Sequence, residues 1–196
     1  MRRELVRSFV AVVVFTVLLG LLYPLGVWAV GQIAFPGRAG GSQVKVHGRV
    51  VGSRLLGQDF AKRPGYFQSR PSADDDNPAG TFFANRGPNQ RATVYFYRRE
   101  LRAYLKRERP YDPSLTTHRV PVDAVTASAS GVDPGISPAN AAIQAHRIAA
   151  VRRLPLARVR RLIDEHTDGR SVGFLGEPGV NVLELNLALD REAPLP

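Results

Sequence analysis

The run FVAVVVFTVLLGLLYPLGVWAVGQIAFP, residues 9–36, decides how the rest of the chain is read. No charged residue occurs from Ser8 to Gly37. A bilayer core about 30 Å thick is crossed by about 20 apolar helical residues, so this run spans it with room for tilt. The backbone must be helical, because lipid offers its N–H and C=O groups no partners. The Ser8 and Thr16 hydroxyls can bond within such a helix. Tyr23 and Trp28 are amphipathic rings of the kind that settle near membrane interfaces. A cleaved export signal would carry an apolar region of about 7–15 residues and then a small-x-small cleavage site. This run is longer, and the residues after it fit such a site only loosely. The expectation is a retained anchor: a tail over 1–7, a transmembrane helix over 8–35, a flexible joint over 36–42 (GRAGGS follows Pro36) and one domain over 43–196.

Arg2, Arg3 and Arg7 precede the span with Glu4 as the only acid, and positive flanks tend to stay in the cytoplasm. Arg38, Lys45 and Arg49 follow it, so local counting does not decide the orientation. Long domains cross largely regardless of charge, which predicts a cytoplasmic amino terminus and an extracytoplasmic domain. Within the span, Gly20, Pro24, Val27 and Gly31 recur at steps of four, three and four. They share one side of a helix, a small-residue face suited to close packing in lipid.

The chain has 196 residues, a formal net charge of +10 and no cysteine. The last fact excludes disulfides, thiolate metal sites and cysteine nucleophiles. Basicity of this degree fits nucleic acid, an anionic membrane surface or an acidic partner, and an extracytoplasmic location speaks against nucleic acid.

Beyond the joint, Val44, Val46 and Val50 alternate within residues 43–51, which predicts a half-buried strand, with Gly48 and Gly52 as bulge and turn. Residues 52–72 are rich in glycine, proline and aromatics and read as ordered loop. Asp74, Asp75 and Asp76 lack the spacing and glycine of a calcium loop and read as a solvated turn. From Gln90 to Arg109, Val94, Tyr97, Leu101, Tyr104 and Leu105 recur at helical steps opposite a basic face. Val120–Val125 suggests a short strand. Ser137 before Pro138 is a helix start, with Ala142, Ile143, Ile148 and Val151 available for burial up to about Arg153. A second helix begins near Pro155, carries Leu156, Val159, Leu162 and Ile163, and has Gly169 as its stop. Leu183, Leu185, Leu187 and Leu189 alternate with Glu184, Asn186, Ala188 and Asp190, which argues for a strand whose polar edge is structural. The fold class expected is therefore a single N-terminal transmembrane helix followed by an α+β (mixed α/β) extracytoplasmic domain.

The sequence contains neither a phosphate-binding G-x-x-x-x-G-K-[ST] loop nor G-x-G-x-x-G. His47, His118, His146 and His166 have no ligand spacing, so no metal site is expected. Ser128 and Ser130 near Asp133 invite a serine hydrolase, but A-S-A-S-G is not the G-x-S-x-G elbow, and small residues there suit close backbone contact. No catalytic residue is expected.

Two blocks carry a resemblance: TASASGVDPGISPANAAIQAHRIA, residues 126–149, and FLGEPGVNVLELNLALD, residues 174–190. Together with Tyr23-Pro24, Gly52-Ser53, Leu56-Gly57-Gln58, Tyr66-Phe67 and Arg70-Pro71-Ser72, they closely resemble the KdpC family, the C subunit of bacterial potassium-transporting Kdp ATPases. The family's G-G-S-N-L-G-P-S-N loop is altered here to Phe83-Ala84-Asn85-Arg86-Gly87-Pro88-Asn89-Gln90. The resemblance implies a single-pass subunit of the plasma (inner) membrane. It would assemble with a potassium-binding pore subunit and a P-type ATPase subunit, as a catalytic chaperone that raises the latter's affinity for ATP. No tightly bound cofactor is implied, and ATP enters through the ATPase subunit. Ser128, Ser130, Gly131 and Gln144 are the motif positions to inspect for a ligand. Outside the resemblance, a membrane-anchored serine hydrolase and a basic module binding anionic lipid are the alternative functions.

Overall fold

The computed structural model describes residues 1–73, 75–81 and 85–195. Asp74 of the acidic run, and Phe83 and Ala84 of the altered loop, lie outside them. The chain divides into two compact units, Met1–Val51 and Gly52–Pro196.

In the first unit one continuous helix, Arg2–Ala34, runs for 33 residues, with a mean hydropathy of 2.5 in its most apolar stretch and none of that stretch buried. It is long and apolar enough to cross a bilayer. It comprises α1 (Arg2–Val17), a widened π turn (Leu18–Leu22) and α2 (Tyr23–Ala34). The widening has a local cause. Pro24 has no N–H to give to Gly20, and its ring crowds that carbonyl. The preceding turn opens, and the Tyr23 N–H reaches Leu18 O, five residues back. A Cβ added to Gly20 would meet only Thr16 Cγ2 at 4.0 Å, and one on Gly31 only Ala39 Cβ at 3.9 Å, so both positions have room. A short helix, α3 (Pro36–Ala39), precedes strands β1 (Gln43–Val46) and β2 (Arg49–Ser53). The single strand expected over 43–51 is thus a hairpin. His47 (φ 49°) and Gly48 (φ 78°) are both left-handed, the geometry of the tightest hairpin turns.

The second unit is a mixed helix and sheet domain. Its elements in order are α4 (Arg91–Glu108), β3 (Gly135–Ile136), α5 (Pro138–Arg152), α6 (Leu156–Glu165), β4 (Thr167–Asp168), β5 (Gly179–Asn181) and α7 (Val182–Glu192). The three short strands form an antiparallel sheet in the order β3-β5-β4, with Val180 opposite both Ile136 and Thr167. Helix α5 packs between α4 and α6, α6 also meets α7, and β5 lies against α5 and α7.

Helix α5 begins as its sequence predicts. Ser137 Oγ accepts the Asn140 N–H at 3.1 Å and Pro138 occupies the first turn. Its buried side is Ala141, Ile143, Gln144, Ala145 and Ile148, whereas Ala142 is exposed. Helix α6 buries Val159, Leu162 and Ile163. It ends before Gly169, because the Thr167 hydroxyl donates to Ile163 O at 2.6 Å and the chain turns into β4. In α4 the buried positions of the first turns are Thr93 and Phe96 rather than Val94 and Tyr97, which are exposed. The Thr93 hydroxyl holds Gly87 O at 2.8 Å, and Phe96 takes the guanidinium of Arg86 on its ring at 4.4 Å. Residues 120–125 are not a strand. Val122–Ala124 is a 3₁₀ turn that follows another at Thr117–Arg119.

The largest departure is α7, expected as a strand. The Asn181 side chain caps it by accepting the Glu184 N–H at 3.1 Å. Leu, Ala and Glu favour helices, and no β-branched residue follows Val182. Burial of Asn186 and Ala188 breaks the apparent alternation, while Leu187 is only half-buried. Leu185→Ala should therefore cost about 2–5 kcal/mol of stability and Leu187→Ala clearly less. Equal losses in thermal unfolding would restore the strand reading.

Candidate functional site

Motif residues of α5 and α7 gather around one short backbone segment, Pro64–Gln68. Phe67 is fully buried and Gln68 nearly so, yet neither belongs to a strand. Buried N–H and C=O groups need partners, and two side-chain amides supply them. Asn186 of α7 takes Phe67: its Oδ1 accepts the N–H at 2.8 Å and its Nδ2 donates to the carbonyl at 2.9 Å. Gln144 of α5 takes Gln68 in the same way, at 2.9 and 3.1 Å. Each amide stands where a neighbouring strand would.

The Gln144 amide is fully engaged. Its Oε1 also accepts from Arg147 Nη2 at 2.9 Å, and its Nε2 also donates to Asn140 Oδ1 at 3.0 Å. Arg147 donates Nε to both Glu108 oxygens at 3.1 Å and Nη1 to the carbonyls of Tyr66 and Pro64. Both members of this ion pair are about 1% exposed. Burial pulls the Arg147 guanidinium below its ordinary range, and Glu108 opposes that. One turn on, Arg152 donates to Gly65 O at 2.6 Å, Ala193 O at 2.7 Å and Asp190 at 2.8 Å. Asp190 also accepts the Tyr66 hydroxyl.

The network continues toward the start of α5. Asn140 accepts the Tyr104 hydroxyl at 2.8 Å. Burial, followed by the Glu108 charge, pushes that phenol's pKa up, so it stays a neutral donor. Asp123, aimed by the 3₁₀ turn, takes the N–H and hydroxyl of Ser137 and the Asn140 amide. Sequence reasoning missed Glu108, Asp123 and Arg152. Glu108 alone carries a signal, an acid continuing the Leu101, Tyr104, Leu105 stripe.

Ser128, Ser130 and Gly131 form a second junction. Ser128 is 2% exposed. Its Oγ accepts the N–H groups of Gly131 and Asp133 at 3.0 and 3.2 Å and faces Ser130 Oγ at 3.2 Å. Ser130 Oγ accepts the Val132 N–H. Gly131 sits at φ 80°, where a side chain would be strained. The Arg70-Pro71-Ser72 loop is tied to this turn. Pro71 O accepts the Ser128 N–H, the Ser72 hydroxyl donates to Gly131 O, and Arg70 bonds Asp133, Thr126 and Ala127 O. Among the described residues, neither serine has an imidazole partner. The hydroxyls close a turn.

Beside it lies a cleft of about 280 Å³, lined by Asp59, Gln68, Arg70, Asp76, Arg99 and Tyr104 among others. Asp75 and Glu100 also face it, so a polyphosphate there would meet several carboxylates. Asp76 is buried, and its Oδ1 has no hydrogen-bond partner among the described residues. Burial, with Asp59, Asp133 and Asp75 nearby, raises its pKa to about 7. No group of three or more metal-ligating side chains occurs among the described residues. Gly20, Pro24, Val27 and Gly31 belong to the apolar helix of the first unit.

A family model described as "K+-transporting ATPase, c chain" (KdpC) matches residues 5–191. Among individual proteins, the "Potassium-transporting ATPase KdpC subunit" of Koribacter versatilis is 43% identical over 201 residues, covering 100% of this chain and 98% of that protein. The protein of the same name from Mycobacterium bovis is 44% identical over 193 residues, covering 97% and 100%. That of Methylococcus capsulatus is 45% identical over 186 residues, covering 93% and 95%.

Replacing Gln144 or Asn186 by Ala strands a buried N–H and C=O pair. Each change should cost about 2–5 kcal/mol, read as a lower melting temperature of the full-length protein; an unchanged melting point would mean the clamp is not structural. Asp76→Asn probes the second junction. The folded protein keeps the Asp76 proton up to about pH 7, whereas an unfolded Asp releases it near pH 4. The native state's advantage from this group is therefore full below about pH 4 and is lost as pH rises toward 7. Asp76→Asn should melt higher than the parent at pH 8, with the gain vanishing on acidification. A gain independent of pH would refute the assignment.

Proposed function

From the premise that the chain belongs to the KdpC family, and so is an accessory subunit of ATP-driven potassium uptake, we propose that it raises the ATPase subunit's affinity for ATP without touching the nucleotide. On this reading it assembles with a potassium-binding pore subunit and a P-type ATPase subunit. It stabilises the complex, contributes no catalytic group of its own and carries its folded domain outside the cell membrane.

The Gln144 amide carries the reading. All of its bonding capacity goes to Gln68, Asn140 and Arg147, and the residue is 1% exposed. Binding ATP there would require breaking the clamp that orders the domain. The hydroxyls of Ser128 and Ser130 are likewise occupied within their turn. With the domain outside, cytoplasmic ATP would lie across about 30 Å of hydrocarbon. An effect on affinity is then a coupling free energy passed through the partners. Tenfold needs only about 1.4 kcal/mol, well within the usual range.

Two measurements test this in the assembled complex. A photoreactive ATP should label the ATPase subunit and leave this chain unlabelled; crosslinking at Gln144 that ATP competes away would restore direct binding. The chain has no cysteine of its own, so Ser130→Cys offers a single, exposed thiol. An impermeant reagent on intact cells should label it, and protection there with labelling of an Arg2→Cys protein would invert the topology.

The span is assigned to partner contact through Gly20, Pro24, Val27 and Gly31. Because a Cβ on Gly20 or Gly31 would meet a single side-chain atom at ordinary contact distance, Gly20→Leu or Gly31→Leu should leave its own fold intact. Each should lower the yield of complex in mild detergent, while Leu19→Phe should not. Equal recovery of all three would remove this face from the interface.

A further inference from the structure

Helix α4 bears an exposed basic face whose charges, among the described residues, are not neutralised by any carboxylate. Arg91, Tyr95, Arg98, Arg102, Lys106 and, just past the helix end, Arg109 follow one another at steps of three or four residues and are all exposed. Such spacing sets them in one straight row, and over 18 helical residues the row is roughly 27 Å long. The helix has only two acids, Glu100 and Glu108, and both lie off the row. Glu100 pairs with Arg99, and Glu108 with Arg107 and Arg147. Among the described residues, no carboxylate lies within ion-pairing distance of Arg91, Arg98, Arg102 or Lys106. Arg109 donates its Nε to Leu115 O, which fixes the side chain without neutralising it.

We propose that this row lies on the anionic headgroups of the bilayer that the chain's own apolar helix crosses. Like charges in file repel one another, and on a freely solvated helix acids usually alternate with them. A negatively charged plane removes that repulsion along the whole length at once. The single uncharged member is Tyr95, 67% exposed, a ring of the type that partitions to the membrane interface. The domain is also joined in one chain to the apolar helix by the short stretch 35–51, so its surface meets that membrane at a high effective concentration. The proposal rests on membrane anchorage and is independent of how ATP affinity is raised.

The test uses the full-length chain with one added thiol, Ala92→Cys, at an exposed position beside the row, carrying an environment-sensitive fluorophore. It is reconstituted in vesicles of phosphatidylcholine, with or without phosphatidylglycerol, that contain a nitroxide-headgroup lipid. Quenching should be about threefold or more stronger in the anionic vesicles at about 0.05 M salt and should fade at about 0.5 M. Arg98→Glu with Arg102→Glu should abolish the difference while leaving the melting curve unchanged. Equal quenching in neutral and anionic vesicles, or insensitivity to the double reversal, overturns the proposal. So does protection of the label in neutral vesicles only when the whole transporter is co-reconstituted, which would assign the row to an acidic protein face.

Discussion

A peptide segment buried without a neighbouring strand must still find partners for its N–H and C=O groups, and in this domain that requirement organises the core. Phe67 and Gln68 are held on opposite sides by the amides of Asn186 and Gln144. Those amides come from two different helices, so the segment locks α5 and α7 into fixed positions. Arg147 and Arg152 extend the same device to the carbonyls of residues 64–66. A fully satisfied polar network of this kind specifies one arrangement more sharply than apolar packing alone, since each alternative packing strands a buried polar group.

This explains why the recognisable blocks of the sequence carry polar residues such as Gln144, Arg147 and Asn186 that are buried. Gln144, a position inspected for a ligand, spends its amide on internal ties, as Asn186 does, while Arg147 and Asp190 bond within the same network. The same holds for Ser128 and Gly131, whose chemistry is that of a turn. For a subunit whose influence on ATP is proposed to pass through its partners, a rigid interior is what such transmission needs, because a soft domain would absorb a small displacement instead of passing it on.

Much of the fold was legible because its signals are local. The apolar helix declares itself by length, α5 by Ser137-Pro138, and α6 by its stripe. The misreadings of α4 and α7 share a cause, reliance on periodicity where a non-local contact decides. In α7 the odd-numbered leucines mimic a strand, but Asn186 and Ala188 are buried between them for reasons set by Phe67 and by the neighbouring elements. In α4 the buried face is one residue off, since Phe96 and the Thr93 hydroxyl found partners in the preceding loop. The hairpin at His47-Gly48 was hidden because its turn lacks the Asn-Gly or Asp-Gly pair that usually signals one. The clamp itself left no trace in spacing, as its members lie 76 and 119 residues apart.

That last separation bears on how the domain is made. Phe67 leaves the ribosome long before Asn186, and a chain delivered from its amino end presents one jaw of the clamp well ahead of the other. Until α7 arrives, Phe67 is a bare aromatic residue on an unclosed core, and long-range closure of this kind is intrinsically slow. The nascent domain therefore passes through an interval in which it is sticky and open to proteases.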